Sequence, residues 1–176
     1  MKKDINIIIE AEGVAIDISG KTIKVEGPKG FIQKDFFYPS IELKKIDQGI
    51  SMGMKKASKK DKRMIGTFKA HLRNMITGVK YGFAYKMKIC SSHFPMNVDI
   101  AGNEVIIRNF LGEKTPRKAK ILDGVSTKID GDVILISGAN KESVGQTCAN
   151  IETAVRIRKK DRRVFQDGIY LMRPEK

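Results

Sequence analysis

Cysteine and histidine are scarce in this chain, and each shortage removes a class of function. The 176 residues include two cysteines, Cys90 and Cys148, and two histidines, His71 and His93. Neither cysteine sits in a Cys-x-x-Cys pair, which argues against a disulfide framework and a cysteine-rich zinc site, so each reads as a small buried hydrophobe. Cys90-Ser-Ser-His93 has the spacing of two metal ligands, but His71 is distant and falls on an expected helix, so no metal or other cofactor is expected. Two histidines also leave little general-base capacity, and no Gly-x-Ser-x-Gly elbow is present. Gly49-Ile-Ser-Met-Gly53-Met-Lys55 misses the phosphate-loop spacing and lacks the Ser or Thr that should follow its lysine. Asp161 and Asp167 would suit a nuclease, but their basic neighbours make them salt-bridge or turn residues. The expectation is a protein that is not an enzyme and has no small-molecule substrate.

Long apolar runs are absent too. No stretch approaches the roughly 18 apolar residues of a spanning helix. Ile5-Asn6-Ile7-Ile8-Ile9 follows a basic start but is too short for a signal core and ends at Glu10 without a small-residue cleavage site. A cytoplasmic protein with no membrane partner is expected. Acidic residues are the third shortage: 20 against 34 Lys and Arg, for a net charge of +14. Such a balance points to a polyanionic partner, and the 41% hydrophobic content is enough for a modest folded core.

What the chain does contain is an internal repeat. At an offset of 82, Ile16-Asp-Ile-Ser-Gly-Lys-Thr-Ile-Lys-Val25 matches Val98-Asp-Ile-Ala-Gly-Asn-Glu-Val-Ile-Ile107. At an offset of 79, Ile65-Gly-Thr-Phe-Lys-Ala-His-Leu72 matches Val144-Gly-Gln-Thr-Cys-Ala-Asn-Ile151, so the second copy needs only a shorter loop. Alternation around a Gly-centred turn, Ala15 to Ile18 then Thr22 to Val25, predicts a hairpin of half-buried strands. A second hairpin follows in each copy, Ile41 to Ile46 with Ile50 to Met54, and Ser126 to Ile129 with Val133 to Ile136. Each copy closes on a helix. Ile65, Phe68, Leu72, Met75, Ile76 and Val79 form one apolar stripe, and Val144, Cys148, Ile151, Ala154 and Val155 form the other. Gly66 and Gly145 lie inside these helices, where glycine costs roughly 1 kcal/mol against alanine, so close helix-to-sheet approach is the expected reason. Tyr81 to Ile89 reads as a strand opening the second copy. The fold class expected is therefore α+β, two tandem duplicated domains at 1–80 and 81–176, each a small antiparallel sheet of hairpins covered by one helix.

Net charge is shared evenly, with 17 basic and 9 acidic residues in 1–81 and 17 and 11 in the remainder. Its density is not. Six of the eight residues from Arg156 to Arg163 are basic: Arg156, Arg158, Lys159, Lys160, Arg162 and Arg163. Such a run is either a solvated helix face or a phosphate-neutralising surface. Phe165, Gln166, Asp167, Gly168, Tyr170 and Arg173 follow it, adding rings, an amide and a turn, the mixture that irregular or single-stranded RNA calls for. At 100° per residue six cations cannot share one helix face, so the helix is expected to lose some of them or to end near Asp161. Lys114, Arg117, Lys118 and Lys120 form a second cluster beside it. Lys55 to Arg63 forms a third, at a helix entrance where the macrodipole disfavours cations, and it faces either RNA or solvent.

The duplicated units, the stretch Asn140-Lys-Glu-Ser-Val-Gly-Gln-Thr-Cys-Ala-Asn-Ile-Glu152 and the close Arg163-Val-Phe-Gln-Asp-Gly-Ile-Tyr-Leu-Met-Arg173 resemble the family of the sixth large-subunit ribosomal protein in its archaeal and eukaryotic form. The resemblance spans nearly the whole chain. Its Arg-x-Phe-x-Asp-Gly close departs from the lysine- and glycine-rich bacterial ending, and the lack of a long basic N-terminal extension favours an archaeal source. The resemblance implies binding to large-subunit rRNA near the sarcin-ricin loop and the base of the lateral stalk, beside neighbouring large-subunit proteins, where translational GTPases dock. It carries the rRNA contact to the basic run with Phe165 to Tyr170, and adds Lys141, Gln146 and Asn150. A free-standing RNA-binding or RNA-processing factor is the alternative.

Overall fold

The fold comes from a computed structural model that describes residues 3–11, 13–39, 41–46, 49–161 and 163–172. The chain divides into two compact units, Met1–Gly82 and Phe83–Lys176. In the first, β1 (Lys3–Glu10), β2 (Ala15–Ser19), β3 (Thr22–Gly27), β4 (Gly30–Asp35), β5 (Glu42–Ile46) and β6 (Gly49–Ala57) precede α1 (Lys59–Tyr81). In the second, β7 (Phe83–Cys90), β8 (Asn97–Ala101), β9 (Glu104–Arg108), β10 (Arg117–Lys120), β11 (Val125–Asp130) and β12 (Val133–Gly138) precede α2 (Lys141–Ala154), and β13 (Gly168–Leu171) comes last.

Both units are α+β, and the element order repeats. The first has antiparallel sheets β2-β3-β4 and β1-β6-β5, and the second has β10-β9-β8 and β11-β12-β7-β13. Each unit thus holds two small sheets where one was expected. The second sheet of each unit forms because its opening strand pairs with a distant one, β1 with β6 and β7 with β12, while β2, β3 and β4, and likewise β8, β9 and β10, pair among themselves. The difference between the copies is β13, which extends the second unit's sheet past β7.

The β2-β3 and β8-β9 hairpins turn at equivalent glycines. Gly20 and Gly102 adopt φ of 63° and 60°, the left-handed region that a side chain enters only at a cost. Ile16, Ile23 and Val25 of the first hairpin and Val105 and Ile107 of the second point inward and are buried, while the alternating polar residues stay out.

One helix covers the sheets of each unit. In α1, Ile65, Phe68, Leu72, Met75, Ile76 and Val79 are buried, and Phe68 meets Phe36 edge-on at 5.0 Å between ring centroids. In α2, Val144, Cys148 and Ile151 are buried, with Val155 just past the helix end. Each such side chain stabilises its unit by roughly 1.5–3 kcal/mol through removal from water. Thr147 is buried with them, because its hydroxyl donates to the Ser143 carbonyl and accepts from the Leu122 N–H. Burial pushes the Cys148 thiol up to about 11, so this cysteine is a core residue and not a reactive one.

Two details differ from expectation. Tyr81 belongs to α1, not to the following strand, because Gly82 accepts the helix-ending conformation at φ 75° and donates to the Gly78 carbonyl. Gly66 and Gly145 are not at close helix-to-sheet contacts: a Cβ at either would meet nothing within 4 Å. The tight approaches to the helices fall elsewhere, at Gly27, where a Cβ would lie 2.8 Å from the Val79 carbonyl oxygen of α1, and at Gly138, where it would lie 3.0 Å from Val144 Cγ2 of α2. Gly66→Ala should therefore stabilise the first unit by about 0.5–1 kcal/mol, since the exposed helix interior gains propensity and meets no clash. Chemical denaturation of the variant checks this, and a lower midpoint would contradict it.

Candidate nucleic-acid interface

The basic run lies outside the helix. α2 stops at Ala154, well before Asp161, so Arg156 to Arg163 belong to an irregular segment joining α2 to β13. That end is capped from β10. α2 has no basic residue in its last turn, and Arg117 takes that place, donating from Nη1 to the carbonyls of Ala154 at 2.8 Å and Arg156 at 3.3 Å. The same guanidinium grips both Glu113 oxygens at 2.7 and 2.6 Å and stacks 4.4 Å over the Phe110 ring. Hydrogen bonds from Arg117 hold the Glu113 carboxyl below its usual range against the opposing effect of burial.

Arg117 is thus a strut. Arg117→Lys should cost the second unit about 1–2 kcal/mol, because a lysine keeps the charge but cannot serve the carboxylate and the helix end from one planar fork. Thermal unfolding measures the loss, and an unchanged transition would show that the fork contributes nothing.

After the cap the chain makes a tight path. Lys159 sits at φ 58°, and the Asp161 carbonyl accepts from the N–H groups of Val164 and Phe165. The Asp161 carboxylate receives the Arg163 N–H at 2.9 Å and the Arg163 guanidinium at 2.9 Å, which lowers the acid's proton affinity. Lys160 lies 4.4 Å over the Phe165 ring, and Phe165 stacks on His93 at 4.7 Å with 20° between planes. Phe165 is therefore packed between a cation and an imidazole of its own unit. Arg156, Arg158, Lys159, Lys160 and Arg163 are exposed. Arg162 and Arg173 lie outside the described residues.

Asp167 fixes the far end of this segment. Its side chain is 2% exposed, and its carboxylate accepts the backbone N–H of Ser92 at 2.6 Å and of His93 at 3.0 Å, the Ser92 hydroxyl at 3.2 Å and His93 Nδ1 at 2.5 Å. Burial alone would push this carboxyl up, but the donors from His93 and Ser92 outweigh it and hold it at about 2. The cluster has the residue types of a catalytic triad without its arrangement. Ser92 Oγ and Asp167 Oδ2 both converge on Nδ1 of His93, whereas a relay needs the imidazole to join serine and acid through opposite nitrogens.

Gly168 and Ile169 are buried, and β13 pairs with β7, setting Ile169 opposite Ile89 and Tyr170 opposite Lys88. A Cβ on Gly168 would approach the Tyr170 ring to 2.9 Å, and the Tyr170 hydroxyl donates to the Gln166 carbonyl at 3.0 Å. From Gly168 on, the chain is a strand anchored to the sheet. Gln166 is exposed, and with Arg156, Phe165, Tyr170 and Glu152 it lines a cleft of about 330 Å³.

The other expected residues are spread over the second unit. Lys114 is exposed, Lys118 pairs with Glu104 at 3.0 Å, and Lys141 lies 5.6 Å over the Phe83 ring. Gln146 and Asn150 share a helix face as the spacing predicts: Gln146 donates to Asn150, and Asn150 donates to the Lys120 carbonyl, both at 3.0 Å. In the first unit, Lys55, Lys56, Lys59, Lys60, Lys62 and Arg63 are all exposed. Helix entry there survives the cations because Ser58 and Asp61 form a reciprocal capping box, and Asp61 also accepts from the Tyr38 hydroxyl.

Comparison with known proteins decides what this duplicated pair of units is. Residues 11–82 and 94–168, one stretch in each unit, match the family "Ribosomal protein L6". The chain belongs to the ribosomal protein L6 family. It is 48% identical over 161 residues to the large ribosomal subunit protein uL6 of Methanothrix thermoacetophila, covering 92% of both chains. With the uL6 of Methanosarcina mazei it shares 45% over 173 residues, 98% of both chains, and with that of Methanobrevibacter smithii 47% over 164 residues, 93% of this chain and 92% of the relative. These relatives are archaeal, as the C-terminal pattern implies. The L6 family is structural and not enzymatic. Ser92 and Glu113 carry no site signal in the sequence, and His93 shows there only as a candidate metal ligand, since Ser92 and His93 act on a partner 74 or 75 positions away.

Proposed function

We propose that this chain is a structural component of the large ribosomal subunit, in the cytoplasm, that binds large-subunit rRNA near the sarcin-ricin loop and the stalk base. There it supports the region where translational GTPases dock, with neighbouring large-subunit proteins alongside. The observation that carries the rRNA contact is the exposed cation segment from Arg156 to Arg163, held at one end by Arg117 and at the other by Asp167. A fixed, irregular backbone studded with cations suits the uneven phosphate surface of folded RNA better than a regular helix does. Most of the aromatic and amide groups beside it brace the protein, so affinity comes chiefly from charge and position. The place near the sarcin-ricin loop rests on the family likeness.

Co-sedimentation from a cell extract tests the reading. The chain should travel stoichiometrically with the large subunit and remain there through a wash at moderate salt. A substoichiometric or salt-labile association would favour a free-standing RNA-binding factor.

A further inference from the structure

The two units differ at one edge of one sheet. In the second, β7 lies between β12 and β13; in the first, β1 lies at the end of the order β1-β6-β5, with no described strand on its other side. Chain topology accounts for the difference. α1 runs through Tyr81 directly into Gly82 and β7, so nothing is left over to return along β1, whereas α2 is followed by the segment that delivers β13.

From this we infer that the open edge of β1 takes an extended acidic segment of a partner protein as an added strand. Three features of the first unit favour this occupant. Backbone N–H and C=O groups along an open edge are a template for another strand, and edges that must stay free are guarded by charge, proline or a bulge. β5, at the other end of this sheet, carries Glu42, Lys44 and Lys45, while the body of β1 reads Ile5-Asn6-Ile7-Ile8-Ile9 with no charge or proline, its charges Lys3, Asp4 and Glu10 and its register shift between Lys3 and Ile5 being confined to the two ends. Apolar surface lies ready beside it. Ile8 is 62% exposed and Tyr81 76%, and both line a cleft of about 450 Å³ between β1 and α1. The third feature is electrostatic. Lys69, Arg73 and Lys80 of α1 line the same cleft against one acidic residue, Glu10, and none of the three is paired with an acidic residue among the described residues. Cations beside an open strand edge select an acidic peptide, as rim charges do at other interfaces. The second unit supplies the internal precedent, because its equivalent edge is covered by Gly168–Leu171, a short apolar strand introduced by Asp167.

The test uses the full chain, isotopically labelled, and a synthetic peptide of sequence Glu-Val-Asp-Ile-Tyr-Leu-Glu, acetylated and amidated. Titration should shift the backbone amides of Ile5 to Glu10 and slow their hydrogen exchange. Arg73→Glu combined with Lys80→Glu should weaken binding by about fivefold or more at low salt, and Ile8→Lys, at an exposed position, should abolish it. Unperturbed amide signals from the remaining elements show that the variants are folded. The same peptide with lysine in place of its acids should leave β1 unmoved. Shifts that fall on β5 or β4 instead of β1, or equal binding by the lysine peptide, would overturn the proposal. So would an oligouridine that shifts Ile8 and Tyr81 where the acidic peptide does not, since the cleft would then be a nucleic-acid groove.

Discussion

Replacing Arg158, Lys159 and Lys160 together with glutamine should weaken binding to large-subunit rRNA by about two orders of magnitude at 0.1 M salt and flatten its salt dependence. Each phosphate contact contributes roughly 0.7 to 0.9 to the slope of log K against log salt, so three lost contacts remove about 2 to 3 from that slope. All three side chains are exposed, and among the described residues only Lys160 has intramolecular partners, the Phe165 ring and the Glu113 carboxylate. Folding should therefore be little affected. The same exchange at Lys59, Lys60 and Lys62 is the matched control, because those cations are equally exposed but stand in the first unit. Filter binding across a salt series measures both sets. Equal losses would mean that the protein binds RNA through net charge alone, without a preferred surface.

The second large effect is expected at Asp167. Asp167→Ala should destabilise the second unit by about 2–4 kcal/mol, since it removes a buried, charge-assisted acceptor and leaves the N–H groups of Ser92 and His93 unpaired. Its pH dependence has a definite sign. The carboxyl titrates at about 2 in the folded protein against 3.8 ordinarily. Its contribution is therefore fully present above about pH 4 and disappears as the pH falls through 2. The gap corresponds to roughly 2 kcal/mol. Asp167→Asn retains the shape but has no carboxyl to titrate, so its stability should lack this acid limb between pH 4 and 2. Denaturant titrations at a series of pH values compare the two, and an acid limb of equal size in Asp167→Asn would assign the effect to another group. Either variant should also weaken rRNA binding, because freeing this anchor lets the cation segment sample positions that do not match the phosphates.

Local signals carried most of the architecture. Gly20 and Gly102 announce hairpins because their turns need left-handed residues, and the flanking alternation matches the pleat. The stripes Ile65 to Val79 and Val144 to Val155 specify helices because burial on one face is a periodic demand. What escaped the sequence depends on distant partners. The end of α2 at Ala154 is capped by Arg117, 37 positions away, a contact with no local signal in the sequence. β1 reads only as a short apolar run until β6 pairs with it from Ile5 opposite Met54 to Glu10 opposite Gly49. β13 is hidden for the same reason: the residues that give it order, Ser92 and His93, lie just beyond the far end of β7. The density of cations was legible as a candidate site, but the anchors that hold it were not. A residue such as Asp167 therefore passes in sequence for a ligand contact, while its side chain is spent inside the fold.

Hydroxyl-radical footprinting of large-subunit rRNA, with the full chain and with its Arg158, Lys159 and Lys160 glutamine variant, tests the central claim most directly. The wild-type chain should protect a compact set of nucleotides around the sarcin-ricin loop and stalk base, and the variant should lose most of that protection while circular dichroism shows an unchanged fold. An identical footprint from the variant, or protection confined to distant parts of the rRNA, would contradict the account.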